Sequence, residues 1–201
     1  MKLKPKAILF DLDGVLVDSL DSWWLSLNTA LKKFNHEELT REEFIEKFWG
    51  HDLYDNVTRL GLDDGLVDFC NLLYSEHVSA IKIYPDTKTT LEKLSPYPKV
   101  IITNTPRDCV HHILQKFDIE RFFKFILTSN DVKKAKPHPE AVFKSCDLLG
   151  VKPNEAVLVG DTISDVKAGR DAGCPVIGIG VEADYTINRL SELTDIIEIN
   201  V

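Results

Sequence analysis

The feature that most constrains the fold of this 201-residue chain is a set of short apolar runs, each followed by a polar residue or a glycine. Short, mainly apolar runs of this length are typical of strands buried on both faces of a parallel sheet. The runs occupy residues 7–10, 99–102, 125–127, 156–159 and 175–179, with a weaker candidate at 196–199. We therefore expect at least five buried strands.

Helical patterns lie between these runs, at residues 107–117, 140–149 and 163–172. A chain in which strands alternate with helices forms βαβ units and a parallel sheet. Right-handed crossovers then place helices on both faces of that sheet. The predicted fold class is therefore α/β, with a Rossmann-like, doubly wound parallel sheet.

The segment after the first run departs from this alternation, because no convincing strand pattern appears between about residue 18 and about residue 83. Helical patterns occur there at 22–34, 41–48 and 66–81, and Thr40 followed by Glu43 is a capping-box signature. We interpret the segment as a small inserted helical domain. The predicted domains are a core of residues 1–17 and 84–201 and an insert of residues 18–83.

Polar residues follow the predicted strands at the edge where ligands bind in open α/β sheets. They are Asp11, Asp13, Thr103, Asn104, Lys136, Asp161 and Asp165. Clustered carboxylates repel one another unless a cation lies between them, and oxygen-only ligands suit Mg²⁺. A hydroxyl, a backbone N–H and an ammonium group are suitable ligands for a phosphate. These residues together predict a site for Mg²⁺ and a phosphate group.

The charge, the hydrophobic pattern and the cysteine content limit the classes of partner and the cellular location that we expect. The formal net charge is -8, with 32 acidic and 24 basic residues, which argues against a general nucleic-acid binder but not against a small anionic substrate. No apolar run is long enough for a signal peptide or a membrane span, so we expect neither. The four cysteines lack zinc-site spacing, which favours reduced, buried thiols in a cytoplasmic protein.

Four motifs carry a resemblance to a known family. FDLDGVLVDS, IITNTPR, AKPHPE and GDTISDVKAGRDAG resemble, in the same order, the four motifs of the haloacid-dehalogenase superfamily. They span nearly the whole chain. The resemblance, to the phosphoglycolate-phosphatase-like and β-phosphoglucomutase-like branch, implies a Rossmann-like core with a small helical cap. It also implies a phosphatase that uses Mg²⁺ and forms an aspartyl-phosphate.

The resemblance implies catalytic and metal-binding roles for three aspartates. Asp11 would attack phosphorus, and Asp13 would protonate the leaving oxygen and later deprotonate the attacking water. Asp161 would bind Mg²⁺ together with the Asp11 carboxylate and the backbone carbonyl of Asp13. These three assignments follow from the match of the motifs.

The remaining matched residues are implied to handle the phosphate group. Thr103 and the backbone amide of Asn104 would hold the phosphoryl oxygens, and Lys136 would neutralise the nucleophile and the phosphate together. Asp165 would act through water or by orienting Lys136. The expected substrate is a small phosphorylated metabolite, of the phosphoglycolate or sugar-phosphate type.

Alternative activities within the superfamily differ in their requirements. Dehalogenases lack the second aspartate, so Asp13 argues against that reaction. Phosphonate cleavage requires a lysine on the cap, whereas Lys32, Lys33 and Lys47 of the insert are expected on solvated helix faces. A phosphosugar mutase shares the same core, so the motifs do not exclude it. A non-catalytic binding protein is a third possibility, against which the complete set of acids argues.

Overall fold

The computed structural model describes residues 2–51, 53–62 and 64–199, and the backbone alone for Asp55 and Asp64. The strands in these ranges are β1 (Ala7–Phe10), β2 (Val17–Asp18), β3 (Lys82–Ile83), β4 (Lys99–Ile102), β5 (Phe125–Leu127), β6 (Ala156–Gly160), β7 (Val176–Ile179) and β8 (Tyr185–Ile187). The α-helices are α1 (Leu20–Lys33), α2 (Arg41–Lys47), α3 (Leu53–Arg59), α4 (Asp64–Glu76), α5 (Thr87–Lys93), α6 (Arg107–Phe117), α7 (Glu140–Leu149), α8 (Ile163–Ala172) and α9 (Leu193–Ile196). None of these helices combines the length and apolar character needed to cross a membrane.

Six of the strands form one parallel sheet in the order β5-β4-β1-β6-β7-β8. The alternate side chains of β1 point to opposite faces, as expected for a strand. Ile8 and Phe10 belong to one apolar cluster, and Ala7 and Leu9 belong to another. Both faces of the sheet are therefore covered, which confirms the predicted α/β class.

The structure differs from the predicted strands at two places. The edge strand β8 was not predicted, because only Ile187 of its three residues is buried and no apolar run marks it. The weak candidate at 196–199 is wrong. Helix α9 ends at Ile196, and Ile197 forms only an isolated bridge with Leu3. The apolar residues there fill the core beside the sheet without adding a strand to it.

The helices α1 to α4 lie between β2 and β3, which pair with each other as a short antiparallel ribbon. Thr40 caps α2 in the predicted capping box, since its hydroxyl accepts from the Glu43 N–H while the Glu43 carboxylate accepts from the Thr40 N–H. The helices share an apolar cluster of their own, which includes Leu27, Phe44 and Phe48. The chain thus enters and leaves the helical segment through the ribbon of β2 and β3, and the segment does not interrupt the parallel sheet.

Candidate active site

The predicted site residues converge at the carboxyl edge of the sheet. Asp11 follows β1, Thr103 follows β4 and Asp161 follows β6, and β4 and β6 are the two neighbours of β1. The chain runs outward from β1 in both directions, so the order of strands reverses there. Such a switch point leaves a crevice beyond the strand ends, which is where open α/β sheets bind ligands.

Lys136 is buried between two aspartates at this edge. Its Nζ lies 2.9 Å from Asp11 Oδ1 and 2.6 Å from Asp165 Oδ1. Asn104 holds the surrounding loop, because its amide group donates to the Lys136 carbonyl and accepts from the Lys136 N–H, each at 2.9 Å. Burial alone would lower the pKa of Lys136, but the two nearby carboxylates outweigh this effect and raise the pKa above its usual value. Lys136 is therefore a fixed positive charge beside Asp11.

The carboxylates of Asp11, Asp161 and Asp165 form a compact acidic group, with one oxygen of each lying within 4.8 Å of the others. Burial and the charge of Asp165 raise the pKa of Asp11 well above its usual range, and raise that of Asp161 to about 7. One cation, Lys136, does not balance three clustered acids. This arrangement favours binding of a further cation.

A divalent cation fits the atoms that the acidic group presents. The Asp161 Oδ1 atom is buried and has no hydrogen-bond partner, whereas buried carboxylate oxygens normally have one. The available ligands are oxygens only, the kind that Mg²⁺ prefers. The residues present are thus compatible with a magnesium site that includes Asp11 and Asp161.

Asp13 occupies a different environment from the acidic group. Its carboxylate accepts hydrogen bonds from the hydroxyls of Ser19 at 2.5 Å, Tyr74 at 2.9 Å and Thr105 at 2.6 Å. Burial and the nearby Asp13 charge raise the pKa of Tyr74 well above its usual value, so its hydroxyl stays protonated and donates. Sequence analysis missed these three partners, and no motif spacing marks Tyr74, which lies on α4.

A cleft separates the strand ends from the inserted helices. Its floor includes Asp11, Asp13, Thr103, Asn104, Thr105, Lys136 and Thr162. The insert contributes Trp23, Leu27, Phe44, Phe48, Trp49, Gly50, His51, Leu53 and Asn56. In the described part of the chain, no lysine or arginine of the insert lines the cleft. The cleft therefore has a charged floor and a mostly apolar roof.

Trp49 connects the roof to the acidic group. Its indole Nε1 donates to Asp161 Oδ2 at 3.0 Å, across 112 positions of sequence. Sequence analysis did not identify Trp49 as a partner of Asp161. The available signal was its position next to Gly50, at the joint between α2 and α3.

Gly14 gives a direct test of how closely the site is packed. It has a φ of +77°, and a Cβ atom there would collide with the Asp161 carboxylate. Gly173, with a φ of +73°, has open space around it. We expect Gly173→Ala to lose about 1 kcal/mol of unfolding free energy from backbone strain alone, and Gly14→Ala to lose about 2 kcal/mol more. Urea denaturation measures both, and equal losses would contradict the close packing.

The comparisons with known proteins agree with this geometry. Residues 8–179 match the family described as haloacid dehalogenase-like hydrolase. The chain is 32% identical to the phosphoglycolate phosphatase of Haemophilus influenzae, over 93% of this chain and 91% of that one. It is 31% identical to the pyrophosphatase PpaX of Bacillus velezensis, over 94% and 95% of the two chains.

Solved structures show the same fold. A HAD-superfamily hydrolase from Geobacter sulfurreducens superposes with a TM-score of 0.79 at 23% identity, covering 95% of this chain and 98% of that one. CbbY from Rhodobacter sphaeroides superposes with a TM-score of 0.83 at 19% identity, covering 94% and 96%. With its four motifs, its parallel sheet and its family match, the chain belongs to the haloacid dehalogenase-like hydrolases.

Proposed function

We propose that this protein is a Mg²⁺-dependent phosphatase that hydrolyses phosphate monoesters of small molecules through an aspartyl-phosphate on Asp11. The observation that carries the proposal is the pairing of Asp11 with Lys136 at 2.9 Å, beside an acidic group with an unpartnered oxygen. A carboxylate nucleophile must approach an anionic phosphate, and it can do so only where positive charge offsets the repulsion.

The reaction divides into two displacements at phosphorus. In the first, an oxygen of Asp11 bonds to phosphorus while the bond to the leaving alcohol breaks, and Asp13 gives that alcohol its proton. In the second, water attacks the aspartyl-phosphate, Asp13 takes the proton, and inorganic phosphate leaves. Asp11 and Asp13 then return to their starting states.

The phosphate and the metal would occupy the floor of the cleft. Thr103, the backbone amide of Asn104 and Lys136 would bind the phosphoryl oxygens. Mg²⁺ would be held by Asp11, Asp161 and the backbone carbonyl of Asp13, where it would neutralise part of the charge on phosphate and carboxylates. The fully buried Asp165 would keep Lys136 in place, since its Oδ1 atom accepts from Lys136 Nζ at 2.6 Å.

The inserted helices would act as a cap over this floor, with the domain boundaries predicted above. Residues 18–83 begin and end at the ribbon of β2 and β3, a narrow connection about which the cap could rotate. A closed cap excludes bulk water from the reacting phosphate and contacts the leaving group. The roof of the cleft therefore selects the substrate.

The apolar roof favours a leaving group without charge. The relatives named above are a phosphoglycolate phosphatase and a pyrophosphatase, whose substrates carry negative charge beyond the transferred phosphate. Such a charge would face aromatic side chains here, with no lysine or arginine among the described roof residues. Aromatic side chains instead suit the apolar faces of a sugar. We therefore propose a sugar-phosphate type of substrate, with phosphoglycolate as the second candidate because of the relatives.

A phosphate-release assay distinguishes the two candidates. We expect kcat/KM for phosphates of uncharged sugars to exceed that for 2-phosphoglycolate by at least about tenfold, since leaving a charge unpaired in a partly dry cleft costs more than 1.4 kcal/mol. Both substrates release an alcohol oxygen, so their intrinsic reactivities are comparable. Equal or better hydrolysis of 2-phosphoglycolate would contradict the preference.

A cation added to the roof should shift this preference. Leu53 is half-buried and lines the cleft, so Leu53→Arg would bring a positive charge toward the leaving group. We expect the variant to raise kcat/KM for 2-phosphoglycolate relative to sugar phosphates. Leu25→Arg is the matched control, because Leu25 is exposed on α1 outside the cleft.

The alternatives give different products. A phosphosugar mutase would convert a sugar phosphate to its isomer with little free phosphate. Transfer through a bisphosphate would require a second anion site, for which the described roof contributes no lysine or arginine. A non-catalytic protein would release no phosphate with or without Mg²⁺. Product analysis by ³¹P NMR across a metabolite panel separates all three.

We also propose a cytoplasmic location. The four cysteines are free and buried in the structure. Unpaired thiols are usual in reducing compartments, whereas secreted proteins more often form disulfides. Fractionation of the native protein tests the location.

A further inference from the structure

The contact between Trp49 and Asp161 joins the two sides of the cleft. Edge-to-face packing against Phe44, with ring centroids 6.1 Å apart, holds the indole in the apolar cluster of the insert. Its N–H projects from that cluster to Asp161 Oδ2 at 3.0 Å. One end of the side chain is thus fixed in the insert, and the other bonds a carboxylate of the sheet edge.

The two oxygens of Asp161 have different surroundings. Oδ2 accepts from Trp49, while Oδ1 is buried without a partner. A donor on one oxygen restricts rotation of the carboxylate and leaves the other oxygen available as a ligand. Partners of this kind orient metal ligands, and their loss typically weakens metal binding 10–100-fold.

The next residue brings the backbone of the insert against a side chain of the sheet edge. Gly50 has a φ of +78°, and a Cβ atom there would collide with the side chain of Thr162. Thr162 cannot easily move, because its hydroxyl and N–H both bond Asp165. Positions 49 and 50 of the insert therefore meet positions 161 and 162 in the arrangement that the structure shows, with the insert over the site.

We propose that Trp49 is a positioning residue that couples closure of the insert to binding of a divalent cation at Asp161. This inference rests on the magnesium site of the proposed function. Closure orients Asp161 for the cation, and by thermodynamic reciprocity the cation favours closure by the same factor. The substrate pocket is thereby completed in step with metal binding.

Calorimetric titration with Mg²⁺ alone tests the coupling without any turnover. Trp49→Phe keeps an aromatic ring against Phe44 and removes the N–H donor, so we expect its Mg²⁺ dissociation constant to rise about tenfold. Trp24→Phe is the matched control, because the Trp24 indole bonds the Leu39 carbonyl within the insert. Its Mg²⁺ affinity should equal that of the unmodified protein.

Hydrogen–deuterium exchange supplies a second measurement. In the unmodified protein and in Trp24→Phe, Mg²⁺ should slow amide exchange in residues 41–51. In Trp49→Phe, and in Gly50→Ala where the added methyl keeps the insert apart from Thr162, Mg²⁺ should have little effect there. A role in folding alone would change exchange equally with and without the ion.

The outcomes separate this inference from the proposed function. Equal Mg²⁺ affinity in Trp49→Phe and the unmodified protein would overturn the coupling and leave the metal site intact. Failure of the unmodified protein to bind Mg²⁺ would overturn both.

Discussion

Replacing Asp11 with Asn is expected to abolish phosphate release, by more than about 10³-fold, while leaving the fold intact. The amide lacks the anionic oxygen that would bond to phosphorus, so the aspartyl-phosphate cannot form. The amide oxygen can still accept from the Leu12 N–H and from Lys136, the two contacts that Asp11 Oδ1 makes now. The variant also removes one of three crowded acids, so its stability should equal or exceed that of the unmodified protein.

Mass spectrometry of acid-quenched reactions checks the intermediate. The unmodified protein should gain one phosphoryl group on the peptide that contains Asp11, and Asp11→Asn should gain none. Asp147→Asn serves as the control, since Asp147 is exposed on α7 and should retain full activity. Substantial turnover by Asp11→Asn would refute the assignment of the nucleophile.

Replacing Lys136 with Met should be the most destabilising change at the site. The Lys136 side chain is 3% exposed and its ammonium group neutralises Asp11 and Asp165 together, so its removal leaves two buried carboxylates without a cation. Loss of one partner from a buried ion pair typically costs about 3–5 kcal/mol. We expect a loss of this size in unfolding free energy at pH 7, together with loss of phosphatase activity.

The pH dependence of that loss identifies its cause. Without Lys136, the folded-state pKa of the Asp11 carboxyl rises further above its unfolded value. Stability is then lost as the pH rises from the unfolded value toward the folded one. The deficit of Lys136→Met should accordingly be largest near neutral pH and shrink as the pH falls toward 5. A deficit that does not vary with pH would indicate lost packing instead.

Lys167→Met provides the matched comparison for Lys136→Met. Lys167 forms a 2.8 Å ion pair with Asp171, but both side chains are largely exposed. Exposed pairs contribute about 0–1 kcal/mol, because water solvates the separated charges well. Unfolding of the two variants in urea at pH 7 should therefore differ by several-fold in lost free energy.

The parallel sheet was predictable because a strand buried on both faces requires a run of apolar residues that can be recognised in the sequence. A strand covered on both faces must be apolar throughout, as β1 and β6 are. The edge strand β8 has no such apolar run, since two of its three residues are exposed. Helix α3 was likewise not predicted, because its sequence LYDNVTR has no extended apolar period.

The floor of the site was predictable for a related reason. In parallel sheets, residues that follow the strands share one edge, so Asp11, Thr103 and Asp161 could be grouped without coordinates. The geometry of Lys136 was not predictable in the same detail. Its bonds to Asp11 and Asp165 depend on the conformation of its loop. Two hydrogen bonds between the Asn104 side chain and the Lys136 backbone hold that conformation.

By itself, the sequence determined the strands of the sheet, the position of the insert and which polar residues gather at the strand ends, because each depends on patterns within a few residues. Only the tertiary structure decided that Tyr74 bonds Asp13 and that Trp49 bonds Asp161, across 61 and 112 positions. Such contacts arise when separately folded surfaces meet. The partners in such contacts are determined by tertiary packing, and no local sequence pattern indicates them.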